Sequence, residues 1–163
     1  IIMSKVARGN ASQFFVAGQL CRRGYSAVVT LGNTPNTDIL CSNIEGTKFV
    51  HIQVKTFRPG DRGVHVGKKS EVDYGKNFIW VLAGIPFVDA GNDFEYFIIP
   101  SKEMAKNVQE GHSNWLSKKG RDGQPRKDST VRILNLPPYK DSYTGWKIEK
   151  YRNNWKLIDN LLA

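Results

Sequence analysis

Asp38, Gln53 and Lys55 are the residues of this 163-residue chain whose types and spacing point most directly to chemistry. Gln53 and Lys55 stand two apart in the β-rich segment Lys48 to Phe57, and side chains two apart on a strand project to the same face. Fourteen residues separate Asp38 from Gln53, a spacing that one short antiparallel hairpin folds back so that the carboxylate comes beside the amide and the ammonium. A carboxylate is the hard oxygen ligand that Mg²⁺ prefers, and Mg²⁺ uses one or two of them while keeping several waters. A lysine ammonium is a compact point charge suited to stabilising an anionic transition state.

The elements that must position these groups follow from periodicity. From Asn10 to Arg23, Phe14, Phe15, Val16, Ala17, Leu20 and Cys21 recur at helical spacing, and Gly24 marks the stop. Tyr25 to Leu31 reads as a strand ending in a turn at residues 32–36, and Thr37 to Ser42 as a second strand. Residues 43–47, with Gly46, form a hairpin loop into Lys48 to Phe57, where Val50, Ile52 and Val54 share one face and Phe49, His51, Gln53, Lys55 and Phe57 the other. Arg58 to Lys76, rich in glycine and charge, reads as a mobile or irregular excursion. The continuous apolar run Phe78 to Ala83 predicts a central strand covered on both faces. Phe94 to Ile99 is a further strand. A helix follows, with Ser101 as its N-cap, running to about Glu110 and closed by Gly111. Residues 112–130 read as a basic loop, Val131 to Leu136 as a short strand, and Lys150 to Leu162 as a closing helix. There is no repeat and no low-complexity tract.

A helix, then an aspartate on one strand, then Gln53-Val54-Lys55 on the next resembles the PD-(D/E)XK nuclease superfamily, the fold of many restriction endonucleases and Holliday-junction resolvases. The resemblance covers about residues 8–100. Arg8-Gly9 and Gln13 are similar to the resolvase-like Gly-x-x-x-Glu helix, and Cys21-Arg22-Arg23-Gly24-Tyr25 to its Gly-Tyr exit. Phe94-Glu95-Tyr96-Phe97-Ile98-Ile99-Pro100-Ser101 looks like the family's later strand-to-helix step. The resemblance implies an α/β fold, a restriction endonuclease-like mixed β-sheet core flanked by α-helices, with residues 1–163 forming a single domain. It also implies a metal-dependent phosphodiester hydrolase acting on nucleic acid, with DNA the expected substrate. Mg²⁺ or Mn²⁺ would be held by Asp38, the Gln53 side-chain carbonyl and the Val54 backbone carbonyl. Asp38, Gln53, Lys55 and Gln13 would form the catalytic set, with Lys55 steadying the transition state or orienting the attacking water. Gln53 stands where the family usually has Glu or Asp, and Gln13 where the helix often brings Glu. Each exchange removes a negative charge, which weakens metal binding and opens a second reading, a nuclease-fold module that binds nucleic acid without cutting it. Gln-x-Lys variants do occur among active members. Glu45, Asp61, Glu71 and Asp73 are the candidates for a carboxylate moved elsewhere in the chain.

Charge supports a polyanionic partner. The chain carries 24 lysines and arginines against 15 acidic residues, a net charge of +9, accompanied by 18 aromatic residues. Lys48, Arg58, Arg62, Lys68 and Lys69 flank the proposed site, and Lys118, Lys119 and Arg121 lie in a second cluster. Both sets are candidates for phosphate contact, which positions a nucleic acid without reading its sequence. Tyr74, Trp115, Tyr139, Tyr143 and Trp146 are able to stack on bases. A two-fold homodimer is an expectation of the resemblance alone, since cutting two strands takes two sites. The chain lacks an apolar run of the roughly 20 residues that a membrane span needs, and its start lacks the apolar stretch of a secretory signal. Cys21 and Cys41 have no CxxC spacing and read as reduced packing residues, so a cytoplasmic location is expected. They and the histidines lack metal-ligand spacing, which excludes a zinc site, and His51 reads as structural. Residues 63–69 fail the phosphate-loop pattern, and neither a Gly-x-Ser-x-Gly elbow nor a dinucleotide-binding Gly-x-Gly-x-x-Gly is present.

Overall fold

A computed structural model describes residues 3–32 and 34–163; Ile1, Ile2 and Asn33, the last within the turn expected at 32–36, lie outside the described residues. Helix α1 spans Lys5–Cys21 and starts five residues earlier than its apolar periodicity announces, because the Ser4 hydroxyl accepts from the Ala7 N–H at 3.1 Å and caps the first turn. Ser12, Val16, Ala17 and Leu20 form its buried stripe. Strands β1 (Ser26–Val29), β2 (Ile39–Ser42) and β3 (Phe49–Phe57) make an antiparallel meander. Strand β5 (Phe78–Gly84) pairs parallel to β3, and β6 (Glu95–Pro100) pairs antiparallel to β5, so the sheet order is β1-β2-β3-β5-β6.

The segment between β3 and β5 is ordered and is not the irregular excursion that its composition predicts. It contains β4 (Gly63–His65), which pairs antiparallel with β7 (Ile133–Asn135) as a second small sheet, and a 3-10 turn at Lys68–Glu71. Val64 and Val66 alternate inward and are buried, a two-residue signal too short to register beside so many charges. Gly63 permits the close approach, since a Cβ there would lie 2.9 Å from the Ile133 side chain and 3.1 Å from the Leu134 carbonyl.

β5 is the central strand its apolar run predicts, and alternation sends its side chains to two cores. Ile79, Val81 and Ala83 pack with Val50, Ile52 and Val54 of β3 beneath α1 and α3 (Lys156–Leu162). Phe78, Trp80 and Leu82 pack on the other face with Phe57, Val64, Leu134 and Met104 of α2 (Ser101–Leu116). The layers are therefore α1 and α3, the mixed sheet, then α2 with the β4–β7 unit.

Three further expectations are corrected. Helix α2 runs through the buried Gly111 to Leu116 rather than stopping there, because Asp141 packs against the space a side chain would take, its Oδ1 3.3 Å from an added Cβ. Ser101 does not cap that helix; Pro100 occupies the N-cap, and the Ser101 hydroxyl accepts from the Tyr74 N–H at 2.7 Å. The closing helix is broken into a 3-10 turn at Glu149–Tyr151 and α3, because Arg152 bridges to Phe97 and Asn153, at φ 50°, donates its N–H to the Tyr96 carbonyl. No helix among the described residues is long and apolar enough to cross a membrane.

Candidate functional site

Asp38 is held where β2 begins. Asn36 takes the left-handed conformation (φ 59°) that asparagine tolerates, turning the chain into the strand. The Asp38 carbonyl then accepts from the Thr30 N–H, and its N–H donates to the Ile52 carbonyl, both at 2.9 Å. Both backbone groups are thus tied into the sheet one residue before its register pairs Ile39 with Ile52. On β3 the His51 N–H points toward β5, donating to the Asn77 carbonyl, so strand alternation points the Val54 N–H the other way, toward β2. There the chain has already turned off, and the Asp38 carboxylate supplies the missing acceptor. Its Oδ2 accepts from the Val54 N–H at 2.7 Å and from the Gln53 side-chain Nε2 in a short contact.

Gln53 and Lys55 share one face of β3 and are half-buried, with the Lys55 Nζ 6.0 Å from the Trp80 ring centroid. Burial pushes the Asp38 carboxyl up from its ordinary value, against the Val54 N–H and the Lys55 charge, which hold it down. Burial likewise pushes the Lys55 ammonium down; Asp38 opposes this and Lys69 adds to it. The pair is an acid and a base each partly stripped of water, with burial the dominant cause for both.

Asp38, Gln53, Val54 and Lys55 therefore come together in one corner. Gln13 is half-buried on α1 and makes no hydrogen bond to any of them. Its neighbour Ser12 went unnoticed in the sequence: its hydroxyl pairs with the Thr56 hydroxyl at 2.6 Å, tying α1 to β3 next to Lys55. The signal was a polar residue in register with Val16 and Leu20 on the apolar stripe. His51 is engaged with the Thr37 hydroxyl, 3.2 Å from its Nδ1.

The alternative carboxylates are occupied elsewhere. Glu71 pairs with Arg132 at 2.5 Å, Asp61 accepts from the Arg58 N–H at 2.8 Å, Asp73 accepts from the Gly75 N–H at 2.9 Å, and Glu45 sits in the exposed β2–β3 turn. No group of three or more His, Cys, Asp or Glu suited to a metal occurs among the described residues. The donor set is thus one carboxylate with neutral oxygens around it. That set fits a hard, largely hydrated cation such as Mg²⁺, and not one that demands an all-protein cage. The Val54 carbonyl also faces the gap beside β2, because a strand residue directs its N–H and C=O to the same neighbour.

The basic candidates divide. Lys69 lies close enough to act on Lys55. Arg58 leaves β3 just beyond the site and is exposed. Arg62 stacks over Tyr139 at 4.5 Å, Lys68 pairs with Asp128 at 3.4 Å, and Lys118 lies 5.3 Å over Tyr143. Lys119 and Arg121 are exposed in the loop after α2. Lys48 is at the opposite end of β3 from Lys55, about 23 Å away at roughly 3.3 Å per residue, and does not join the site.

No family model and no curated protein matches the chain in sequence. Among solved structures it is similar to the bacterial homing endonuclease I-Ssp6803I, at 16% identity and a TM-score of 0.58, over 99% of this chain and 96% of that one. The chain has the restriction endonuclease-like PD-(D/E)XK fold. Hjc, a Holliday junction resolvase from the archaeal hyperthermophile Archaeoglobus fulgidus, also aligns, at 12% identity and a TM-score of 0.43, over 78% of this chain and 83% of that one. In the PD-(D/E)XK fold the corner built from β2 and β3 is where this chain gathers its carboxylate, amide and ammonium.

Proposed function

We propose that this PD-(D/E)XK-fold chain is a nuclease that hydrolyses phosphodiester bonds in nucleic acid, with DNA as substrate and Mg²⁺ or Mn²⁺ as its metal. The observation that carries the proposal is the convergence of Asp38, Gln53, the Val54 backbone and Lys55 at the point where β2 begins beside β3. Asp38, the Gln53 side-chain oxygen and the Val54 carbonyl would hold the metal, with Gln53 reversing its amide so that Oε1 replaces Nε2 toward the cation. When bound, the metal polarises the scissile phosphate and lowers the pKa of a coordinated water. Lys55, anchored on the strand and partly desolvated, sets a positive charge against the phosphoryl oxygens as their negative charge builds, where low local dielectric strengthens it. Its lowered proton affinity also suits it to orient the attacking water. Exposed Arg58 and Lys69 beside the corner would grip flanking phosphates. Free Cys21 and Cys41 suit a reducing cytoplasm.

Purified protein with Mg²⁺ or Mn²⁺ is expected to cut DNA, and Lys55→Ala to reduce cutting roughly 10²- to 10³-fold, as loss of one charge-stabilising donor does, with an unchanged circular dichroism spectrum. Undiminished cutting by Lys55→Ala would sink the assignment. One observation favours a second reading: among the described residues Asp38 is the single carboxylate in the corner, since Gln53 is neutral. Salt-dependent DNA binding without cleavage under either metal would identify the chain as a binding module that keeps the nuclease fold.

A further inference from the structure

A second concavity lies outside the β2–β3 corner. Between α2, β7 and residues 141–146 is a cavity of about 280 Å³ walled by Trp115, Tyr143, Trp146 and His112. That volume is just below the roughly 300–1,000 Å³ of ligand pockets and admits one planar ring system. The walls are held rigid. Arg126 donates to the Trp115 carbonyl at 3.0 Å and to the Tyr143 hydroxyl at 2.9 Å, and its guanidinium stacks 4.9 Å from the Trp115 ring. His112 stacks on Trp115 at 5.3 Å between centroids.

Two details make this more than a packing gap. Gly111 is buried in the middle of α2, where glycine costs about 0.5–1 kcal/mol relative to alanine, and the room it leaves brings the helix against Asp141. Asp141 lines the cavity with its Oδ1 fixed by the Tyr143 and Thr144 N–H groups and the Thr144 hydroxyl, while its Oδ2 accepts no hydrogen bond among the described residues. An aromatic-lined cavity with one free carboxylate oxygen matches a flat, π-rich ring that carries an amino N–H donor. On the side toward the β2–β3 corner, Asp128 pairs with His112 at 2.8 Å and with Lys68 at 3.4 Å.

We propose that this cavity receives a single unpaired nucleobase bearing an exocyclic amino group, held among the aromatic side chains with Asp141 accepting from the amino group. The inference rests on the reading of the chain as a nucleic-acid-acting protein, and it adds recognition of an unpaired position to that reading. Aromatic stacking works on any base, and the carboxylate then disfavours one that lacks an amino donor.

Fluorescence anisotropy on the full chain without divalent cation tests it. The probes are a fully paired DNA duplex, the same duplex with one unpaired guanine, and the same duplex with one unpaired thymine. The guanine bulge is expected to bind at least about fivefold tighter than the paired duplex, the low end of single-base stacking, and tighter than the thymine bulge. Val131, half exposed at the cavity rim, allows Val131→Trp to fill the slot from outside without disturbing a core. This variant is expected to abolish the bulge preference while keeping paired-duplex affinity within about twofold, and Tyr143→Ala to do the same by removing a wall. Equal wild-type binding to all three duplexes would overturn the cavity assignment and leave the nuclease reading standing. A preference that survives both variants would overturn it too. No binding to any duplex would remove the underlying reading itself.

Discussion

The two faces of β3 are built from the same nine residues and treated in opposite ways. Val50, Ile52 and Val54 are sealed beneath α1 and α3 in an apolar core, whereas Gln53 and Lys55 on the other face are half-buried where the β4–β7 unit leaves the strand partly uncovered. On the sealed face burial is stabilising. On the open face it strips water from an acid and a base, pushing Asp38 up and Lys55 down despite their mutual attraction. The contrast teaches that the same strand gains from burial on one face and opposes it on the other, where charged groups lose water.

The comparison breaks most easily at Ile52 and Lys55. Ile52 is fully buried, so Ile52→Ala is expected to lose about 2–5 kcal/mol in a denaturant melt, from lost transfer energy and the cavity left behind. Lys55→Met, three residues along the strand on the opposite face, is expected to change stability by no more than about 1 kcal/mol, in the stabilising direction, because it removes a partly desolvated charge. The sign has a pH signature. A base whose folded-state pKa lies below its ordinary value of 10.5 costs stability while it is charged in both states, and that cost disappears as pH rises past 10.5. The advantage of Lys55→Met should therefore be full at neutral pH and fade in strong alkali. A loss at Lys55 equal to that at Ile52 would show that the two faces do not differ.

The same contrast governs what could be read without coordinates. Sealed elements announce themselves: the apolar run of β5 and the alternation of Val50, Ile52 and Val54 fix their positions and faces, because burial imposes a period. Gln53 and Lys55 follow from the same period, since two-residue spacing on a strand decides which groups share a face, and the hairpin spacing brings Asp38 beside them. What stayed hidden depends on partners distant in sequence. The pairing of Val64 and Leu134 across the small sheet turns a charged, glycine-rich stretch into a strand, and Asp141 packing against Gly111 carries α2 past a residue that locally reads as a stop. Likewise the separation of Lys48 from the corner follows from strand length, which a count of basic residues ignores.

A smaller effect sharpens the open face. Gln53→Glu places a second carboxylate beside Asp38, and two adjacent carboxylates repel without a cation and bind one more strongly with it. The variant is expected to melt below wild type in EDTA and to gain more in melting temperature from added Mg²⁺. A tenfold tighter site would appear as about 1.4 kcal/mol of extra stabilisation at saturating metal. Equal Mg²⁺ responses from the two proteins would argue that Gln53 does not face the metal.

The smallest expected effect tests the sealed face, which contains one polar pair of its own. Ser12 is 1% exposed, and its hydroxyl meets that of Thr56 and the Gly9 carbonyl, so every polar atom there has a partner. Ser12→Ala leaves the half-buried Thr56 hydroxyl without its partner and is expected to cost about 1 kcal/mol. Adding Thr56→Val removes the orphaned group and is expected to restore most of that loss, because replacing both partners by apolar groups is close to neutral. Cutting should fall by less than about threefold in either variant, since neither hydroxyl lies on the face of β3 that carries Gln53 and Lys55. A double mutant as unstable as the sum of its two single changes would mean that Ser12 and Thr56 act independently, and that α1 is fastened to β3 by the apolar stripe alone.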